Sequence, residues 1–175
     1  SFAPDHVVED GEIFNGPGWI LESVYTPGHI SNHMCYALKE ENSLFSGDHV
    51  MGWSTSVVSP PDGNMTEYLA SLDRCLARSE TAYWPGHGPV IPDPYPFVKS
   101  FRDHRLMREE EITKCLQAGC ETISEMVAKM YQHVPANLHK AAARSVLAHM
   151  EHMAEDGRVK SDGAVTPDAV YRLEN

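Results

Sequence analysis

Short runs of apolar residues, separated by Gly, Pro and Asn, dominate the first hundred positions of the chain. The run WILESVY at 19–25 predicts a β-strand that ends at a TPGH corner. Two further runs, at 34–38 and 43–45, are separated by charged turn residues. They predict a hairpin whose second strand leads into Gly47 and Asp48. The opening of the chain is therefore predicted to be β structure.

An amphipathic helix is predicted at 64–79, where apolar residues recur at helical spacing and where Asn64 and Glu67 occupy capping positions. TAYW at 81–84 then predicts a short strand that leads into PGHG. The order is thus strand, hairpin, helix, strand, with a Gly-His or Gly-Asp pair at the strand ends. Loops at strand ends can converge while the sheet holds them rigid, so this order predicts a functional site there.

The pattern becomes helical after residue 93. A long helix predicted at 94–118 stops at Gly119, because glycine commonly ends helices. A second helix is predicted at 122–132, where Thr122 and the glutamate three residues later form a capping box. These signals mark the start of a separate helical region.

A helix opened by Pro is predicted at 135–157, followed by a short hairpin with an Asp-Gly turn at 158–165. Two helices followed by a small hairpin are typical of a winged helix. We therefore predict one domain at 1–100 and a second region, made of the linking helix and a winged-helix-like domain, at 101–175.

The 175 residues are 42% hydrophobic, which is enough for one buried core with a small companion. No apolar run is long enough to cross a bilayer, and no targeting signal is visible. The four cysteines form no CxxC pair, which favours reduced thiols. These features predict a soluble, cytoplasmic protein that has no membrane partner.

A net charge of -11 disfavours binding to polyanions over most of the surface. Nucleic acid would need a local basic patch, and Lys140, Arg144, Arg158 and Lys160 could form one in the predicted winged helix. Nearby acidic residues dilute that patch. We therefore favour a structural role for the winged helix beside the active-site cleft.

His29, Asp48 and His87 each follow a glycine at a predicted strand end. Because glycine has no Cβ, the backbone can turn sharply and aim the next side chain outward. Two imidazoles and a carboxylate suit Zn²⁺, with Fe or Mn as alternatives. Each residue taken singly is more simply interpreted as a turn residue. Their joint occurrence indicates a metal site.

The succession TPGH, FSGD and WPGHG resembles the second half of the metallo-β-lactamase superfamily. The resemblance implies an αββα sandwich of the α/β (α+β) class, with a one- or two-metal site at one edge of the sheets. By the same resemblance, His29 would ligate the first metal and His87 the second. Asp48 would bridge the two metals and act as the catalytic carboxylate.

The rest of the chain, including PANLH at 135–139, is similar to the branch that contains β-lactamase-like protein 2. That branch includes hydroxyacylglutathione-hydrolase-like proteins and a mitochondrial endoribonuclease. The superfamily's other ligands lie in an HxHxDH motif, and no such string occurs here. HMEH at 149–152 is interpreted instead as a partly solvated helix face.

We therefore expect this chain to be the C-terminal part of a metallohydrolase, either truncated or a natural remnant. It lacks half of the metal ligands and is expected to be inactive by itself. Half of the sandwich would also expose an apolar sheet face. Such a face predicts association with another copy of the chain.

The loop after Asp48 carries Trp53, Ser54 and Thr55 as candidate substrate-side residues; a merely ordered Pro-rich connection is an equally good interpretation. His33 is either a support for the ligands or a histidine bonded to backbone. His49 would point to the opposite face if the strand continues, so it is not a ligand candidate.

The predicted function is a metal-dependent hydrolase in which a metal-bound hydroxide attacks a small-molecule ester or thioester. The alternative is an endoribonuclease-type hydrolase, or a winged helix that binds nucleic acid. A third hypothesis is a noncatalytic interaction remnant that folds without metal. The salt dependence of binding distinguishes the ester hydrolase from the nucleic-acid hypothesis, because affinity for nucleic acid falls steeply between about 50 and 200 mM salt.

Overall fold

The computed structural model describes residues 3–174. Its main sheet has five strands in sequential order, which are β1 Ile13–Gly16, β2 Trp19–Tyr25, β3 Met34–Leu38, β4 Ser43–Gly47 and β5 Ala82–Pro85. Strands β1 to β4 pair antiparallel, whereas β5 pairs parallel to β4. A parallel pair needs a crossover, and helix α1, Met65–Leu76, provides it.

The second part of the chain is helical and ends in a two-stranded ribbon. Its elements are α2 Pro94–Gln117, α3 Ile123–Met130, a 3₁₀ turn Ala136–Leu138, α4 His139–Glu155, β6 Val159–Ser161 and β7 Tyr171–Leu173. No helix within residues 3–174 is long and apolar enough to cross a membrane. The predicted strand, helix and winged-helix order is confirmed.

The helix ends follow the capping signals in the sequence. The side chain of Asn64 accepts a hydrogen bond of 2.9 Å from the backbone N–H of Glu67 at the start of α1. Thr122 and Glu125 form a reciprocal capping box at the start of α3. Gly119 has φ +83° just beyond α2, a conformation that glycine adopts without strain. The predicted positions of these helix ends are confirmed.

The predicted tight hairpin at 158–165 is wrong. Strand β6 pairs with β7, Tyr171–Leu173, and residues 162–170 connect them. Asp162 and Val170 form a backbone hydrogen bond of 3.1 Å at the mouth of this connection. The buried side chain of Tyr171 draws the later segment into the second core, so packing overrides the local Asp-Gly turn signal.

Two hydrophobic cores share helix α2. One face of the main sheet packs against α1 and the first half of α2, which contributes Val98 and Phe101. The second half of α2 contributes Ile112 and Cys115 to a core built with α3, α4 and the ribbon. The predicted boundary between residues 100 and 101 falls inside this continuous helix and stays a prediction.

The other face of the main sheet carries exposed aromatic side chains. Trp19 and Tyr25 on β2 are 42% and 38% exposed, and Phe45 and Trp84 on the paired strands β4 and β5 are 42% and 48% exposed. Because side chains alternate across a strand, these residues lie opposite the helices. The chain therefore has one sheet with helices on one face, which is half of a four-layer αββα arrangement followed by a winged-helix unit, as predicted.

Candidate metal centre

Asp48 and His87 lie side by side where the parallel strands β4 and β5 end. The backbone N–H of Gly86 donates to the carbonyl of Gly47 at 2.8 Å, which locks the two turns together. Nε2 of His87 is 3.6 Å from Oδ1 of Asp48. A Cβ on Gly86 would stand 2.8 Å from that same carboxylate oxygen. Glycine at this position therefore permits the approach of the two candidate ligands.

His29 lies beyond the end of β2, at the same edge of the sheet, because β2, β4 and β5 run in one direction. Gly28 before it has φ +122° and packs directly on α1. Nδ1 of His29 lies 2.5 Å from the carbonyl oxygen of Val57 and donates to it. This bond leaves the lone pair on Nε2, the tautomer with which many histidines bind metal.

His33 supports the backbone of Asp48. The N–H of Asp48 donates to Nε2 of His33 at 3.2 Å, and Nδ1 of His33 lies 2.9 Å from Oγ1 of Thr26. Oγ1 of Thr26 is in turn 3.1 Å from Sγ of Cys35. Burial lowers the pKa of His33 and favours the neutral ring that this bonding requires. The structure therefore places His33 as a support for a candidate ligand.

His49 points into the core, away from the Asp48 and His87 pair. Its ring centroid is 4.9 Å from that of Tyr68 on α1, and the residue is fully buried. Neither ring nitrogen has a hydrogen-bond partner within the described part of the chain. Burial lowers the pKa of His49 to about 3, so the ring is neutral at physiological pH. The position of His49 in the core agrees with the prediction that it is not a metal ligand.

The three candidate substrate-side residues have different positions. Trp53 stacks on His87, with ring centroids 6.0 Å apart and planes inclined by 7°, and is 69% exposed. Ser54 is exposed to solvent. Thr55 lines a groove beside Arg105 of α2. Two of the three thus lie beside features that a substrate could contact.

Sequence reasoning missed the contact that joins this loop to α2. The hydroxyl of Ser56 donates to the carbonyl oxygens of Asp48 and His49, the latter at 3.0 Å. Arg105 donates to the carbonyl oxygen of Ser56 and is only 4% exposed. The sequence signal for this contact was Arg105 itself, a charged residue at a position of the helical repeat that is otherwise buried and apolar at Val98, Phe101 and Ile112.

The partly solvated face predicted for HMEH holds only in part, because Glu151 and His152 are partly exposed whereas His149 is buried. His149 is 1% exposed, and its Nδ1 lies 3.2 Å from Oε1 of Glu109. Nδ1 of His152 lies 2.7 Å from the same oxygen. The packing of α4 against α2 covers both rings, which creates a buried polar cluster.

The three candidate ligands lie at one edge of the main sheet. Within residues 3–174, no group of three or more His, Cys, Asp or Glu side chains is arranged so that it could hold a metal ion. Asp48 and His87 are adjacent, and His29 has a free ring nitrogen oriented by its carbonyl partner. Imidazole and carboxylate donors suit zinc or iron.

Comparison with known proteins identifies two regions of the chain. Residues 1–87 match the family model of the metallo-beta-lactamase superfamily, and residues 122–167 match that of the beta-lactamase associated winged helix domain. Lactamase-like protein notP of Aspergillus sp. (strain MF297-2) is 33% identical over 167 residues, covering 87% of this chain and 51% of the relative. The beta-lactamase-like protein 2 homolog of Caenorhabditis elegans is 33% identical over 157 residues, covering 89% and 52%.

Solved structures show the same fold. A metallo-beta-lactamase family protein from Thermus thermophilus aligns with a TM-score of 0.79 and 25% identity, over 95% of this chain and 53% of that one. A beta-lactamase domain protein from Burkholderia ambifaria aligns with a TM-score of 0.82 and 20% identity, over 98% and 54%. The chain spans about half the length of these relatives. Sequence motifs, family models and fold agree, and the chain belongs to the metallo-β-lactamase superfamily and carries a β-lactamase-associated winged helix domain.

Proposed function

We propose that this chain supplies part of the metal centre of a hydrolase that acts on an ester or thioester. Membership of the superfamily supports a hydrolase-type function. The observation that carries the proposal is the convergence of Asp48 and His87 to 3.6 Å, at the sheet edge where His29 is also held with a free Nε2.

Each of the three residues has a role in this proposal. His29 through Nε2 and His87 through its ring would each hold a metal, and the Asp48 carboxylate would lie between them. A bound zinc ion lowers the pKa of a water ligand to roughly 7 and polarises a carbonyl group. His33 fixes the backbone of Asp48, and Trp53 covers one face of the His87 ring. These contacts orient the ligands before any substrate binds.

The charge distribution supports a small-molecule substrate over nucleic acid. In the basic patch of the winged helix, Arg158 is paired with Glu109 at 2.7 Å and Lys160 with Glu174 at 3.2 Å. That pairing leaves Lys140 and Arg144 as exposed cations on a protein of net charge -11. Such a surface is a weak match for a polyanion.

Zinc binding by the purified chain is the first test. We expect almost no zinc after purification without added metal, since a zinc site needs about four ligands. Added Zn²⁺ should bind weakly, and His87→Ala or Asp48→Asn should weaken that binding further in a calorimetric titration. His6→Ala is the matched control, because it removes an exposed histidine that pairs with Glu12. Tight zinc binding that survives both substitutions would contradict the ligand assignment.

Turnover is the second test, in a polypeptide that also carries an HxHxDH motif. Thioester hydrolysis should be lost in His29→Ala and in His87→Ala. Undiminished turnover by either variant removes that residue from the site. Hydrolysis that barely responds to salt supports an ester substrate, whereas RNA cleavage that falls steeply between about 50 and 200 mM salt supports the nuclease alternative.

A further inference from the structure

A groove of about 320 Å³ lies between the loop that follows Asp48 and the winged-helix unit. Thr55 forms its edge on the loop side, and Arg105 and Arg108 of α2 contribute two cations. Tyr131 and Leu138, from the segments around the 3₁₀ turn, contribute apolar surface opposite them. The groove therefore combines positive charge with an apolar wall, beside the loop that follows Asp48.

Arg105 is the unusual residue of this groove. It is 4% exposed, donates to the carbonyl oxygen of Ser56, and has its guanidinium 5.2 Å from the centre of the Tyr68 ring. Its buried Nε has no hydrogen-bond partner, and no carboxylate within residues 3–174 forms an ion pair with it. A buried charge is unfavourable unless it is paired. The fold thus holds a cation that lacks an anion.

The surrounding groups do not neutralise this charge. Arg108 lies 5.1 Å from the centre of the Tyr131 ring and pairs with Glu111 at 2.6 Å, so its charge is partly compensated. Burial, and then the nearby Arg105 and Arg108 cations, lower the pKa of His104, which favours its neutral form. The groove is consequently a local positive region on an acidic protein.

We propose that this groove binds an anionic group, a carboxylate or phosphate, carried on the apolar body of the substrate. Arg105 and Arg108 supply the charge complement, and Tyr131 and Leu138 contact the apolar body. Ser56 connects the groove to the candidate metal centre, since it accepts from Arg105 and donates to the carbonyl of Asp48. The inference rests on the proposed hydrolase function and specifies its substrate as an acidic ester or thioester.

The test is a titration of the purified chain, without metal, with inorganic phosphate and with benzoate, followed by amide chemical shifts. We expect saturable binding with shifts centred on the groove. Arg108→Gln should weaken binding by about tenfold, the loss of one charge-assisted contact. Leu138→Asp adds a carboxylate at a 49% exposed position and should abolish binding without removing a buried group.

Arg102→Gln is the matched control on the same helix, since Arg102 pairs with Asp73 at 2.5 Å and does not line the groove. Tighter binding of benzoate supports a carboxylate on an apolar body, and tighter binding of phosphate supports a phosphate ester. Absence of saturable binding of both anions would overturn the proposal. Equal binding by wild type, Arg108→Gln and Leu138→Asp would also overturn it.

Nucleic acid is the remaining outcome. A single-stranded RNA that binds more tightly than either anion, through the same residues and with steep salt dependence, would replace the proposal with a polynucleotide site. None of these measurements uses metal or turnover. Failure to bind anions therefore leaves the hydrolase function standing, and absence of hydrolysis leaves the anion site standing.

Discussion

The buried cluster around Glu109 offers a quantitative test of how α2 is joined to the winged helix. Glu109 is 2% exposed and binds three groups: Nδ1 of His149 at 3.2 Å, Nδ1 of His152 at 2.7 Å and the guanidinium of Arg158 at 2.7 Å. The first two groups are on α4, and the third precedes strand β6. We expect Glu109→Gln to destabilise the folded chain because it removes the shared charge.

The magnitude follows from these contacts. Glutamine keeps the shape of Glu109 and one carbonyl acceptor, so part of the hydrogen bonding survives. Hydrogen bonds to charged groups contribute roughly 1.5–3 kcal/mol each, and Arg158 counts for less because its side chain is 40% exposed. Losing the charge should therefore lower the free energy of unfolding by about 2–4 kcal/mol.

The pH dependence gives a second signature. Burial opposes ionisation of Glu109, but its bonds to His149, His152 and Arg158 outweigh burial and lower its pKa below the usual 4.5. The contribution of Glu109 to stability is therefore fully present above pH 4.5 and is lost as pH falls through the lowered pKa. The bond to Glu109 raises the pKa of His152 above 6.5, so that contribution is complete below 6.5 and is lost as pH rises. The pair of Glu109 and His152 therefore stabilises the folded chain most between pH 4.5 and pH 6.5.

His149 acts in the opposite direction. Burial lowers the pKa of His149 below 6.5, so its contribution to stability is present above pH 6.5 and is lost as pH falls through the lowered pKa. In Glu109→Gln, the loss of stability that His152 produces above pH 6.5 should flatten. The contribution of His149 below pH 6.5 does not require the carboxylate charge and should remain.

Urea unfolding followed by circular dichroism at pH 5.5 and pH 8 measures both effects. Glu110→Gln is the matched control, since Glu110 is the exposed neighbour on the same helix and its change should stay within about 0.5 kcal/mol. If Glu109→Gln also stays within that range, or shows the wild-type change in unfolding free energy between pH 5.5 and pH 8, the cluster does not stabilise the fold as argued.

Three further predictions test the remaining features. Gly28→Ala should lower the free energy of unfolding by roughly 2 kcal/mol or more, because φ is +122° there and a Cβ would stand 2.2 Å from the backbone of α1. Gly11→Ala, with φ +74° in open space, should lower it by about 1 kcal/mol, and equal losses in urea unfolding would refute the packing argument. Trp53→Ala should weaken Zn²⁺ binding severalfold by freeing the His87 ring, and an unchanged titration would show that the stacking does not orient it. Phe45→Lys should reduce self-association through the open sheet face in sedimentation velocity, and an unchanged profile would exclude this residue from any such contact.

Much of the secondary structure was predictable because its signals are local. The alternation in WILESVY, the caps at Asn64 and Thr122, and the glycine after α2 act within a few residues of each other, so no tertiary information was needed. The positions of Asp48 and His87 were also predictable, since each follows a glycine where a strand ends. Parallel pairing of those strands then brings the two side chains to one edge.

Only the tertiary structure decided which distant groups meet. Glu109 and His149 are forty positions apart, and Arg105 reaches the loop of Ser56 across forty-nine, so no local periodicity relates them. The same reason explains the misassigned wing, where burial of Tyr171 selected a later strand over a local turn. The sequence determined the elements and the residues that end them, because those depend on neighbours along the chain. Packing of α2 against α4 and the loop determined the buried charges, because these depend on neighbours in space.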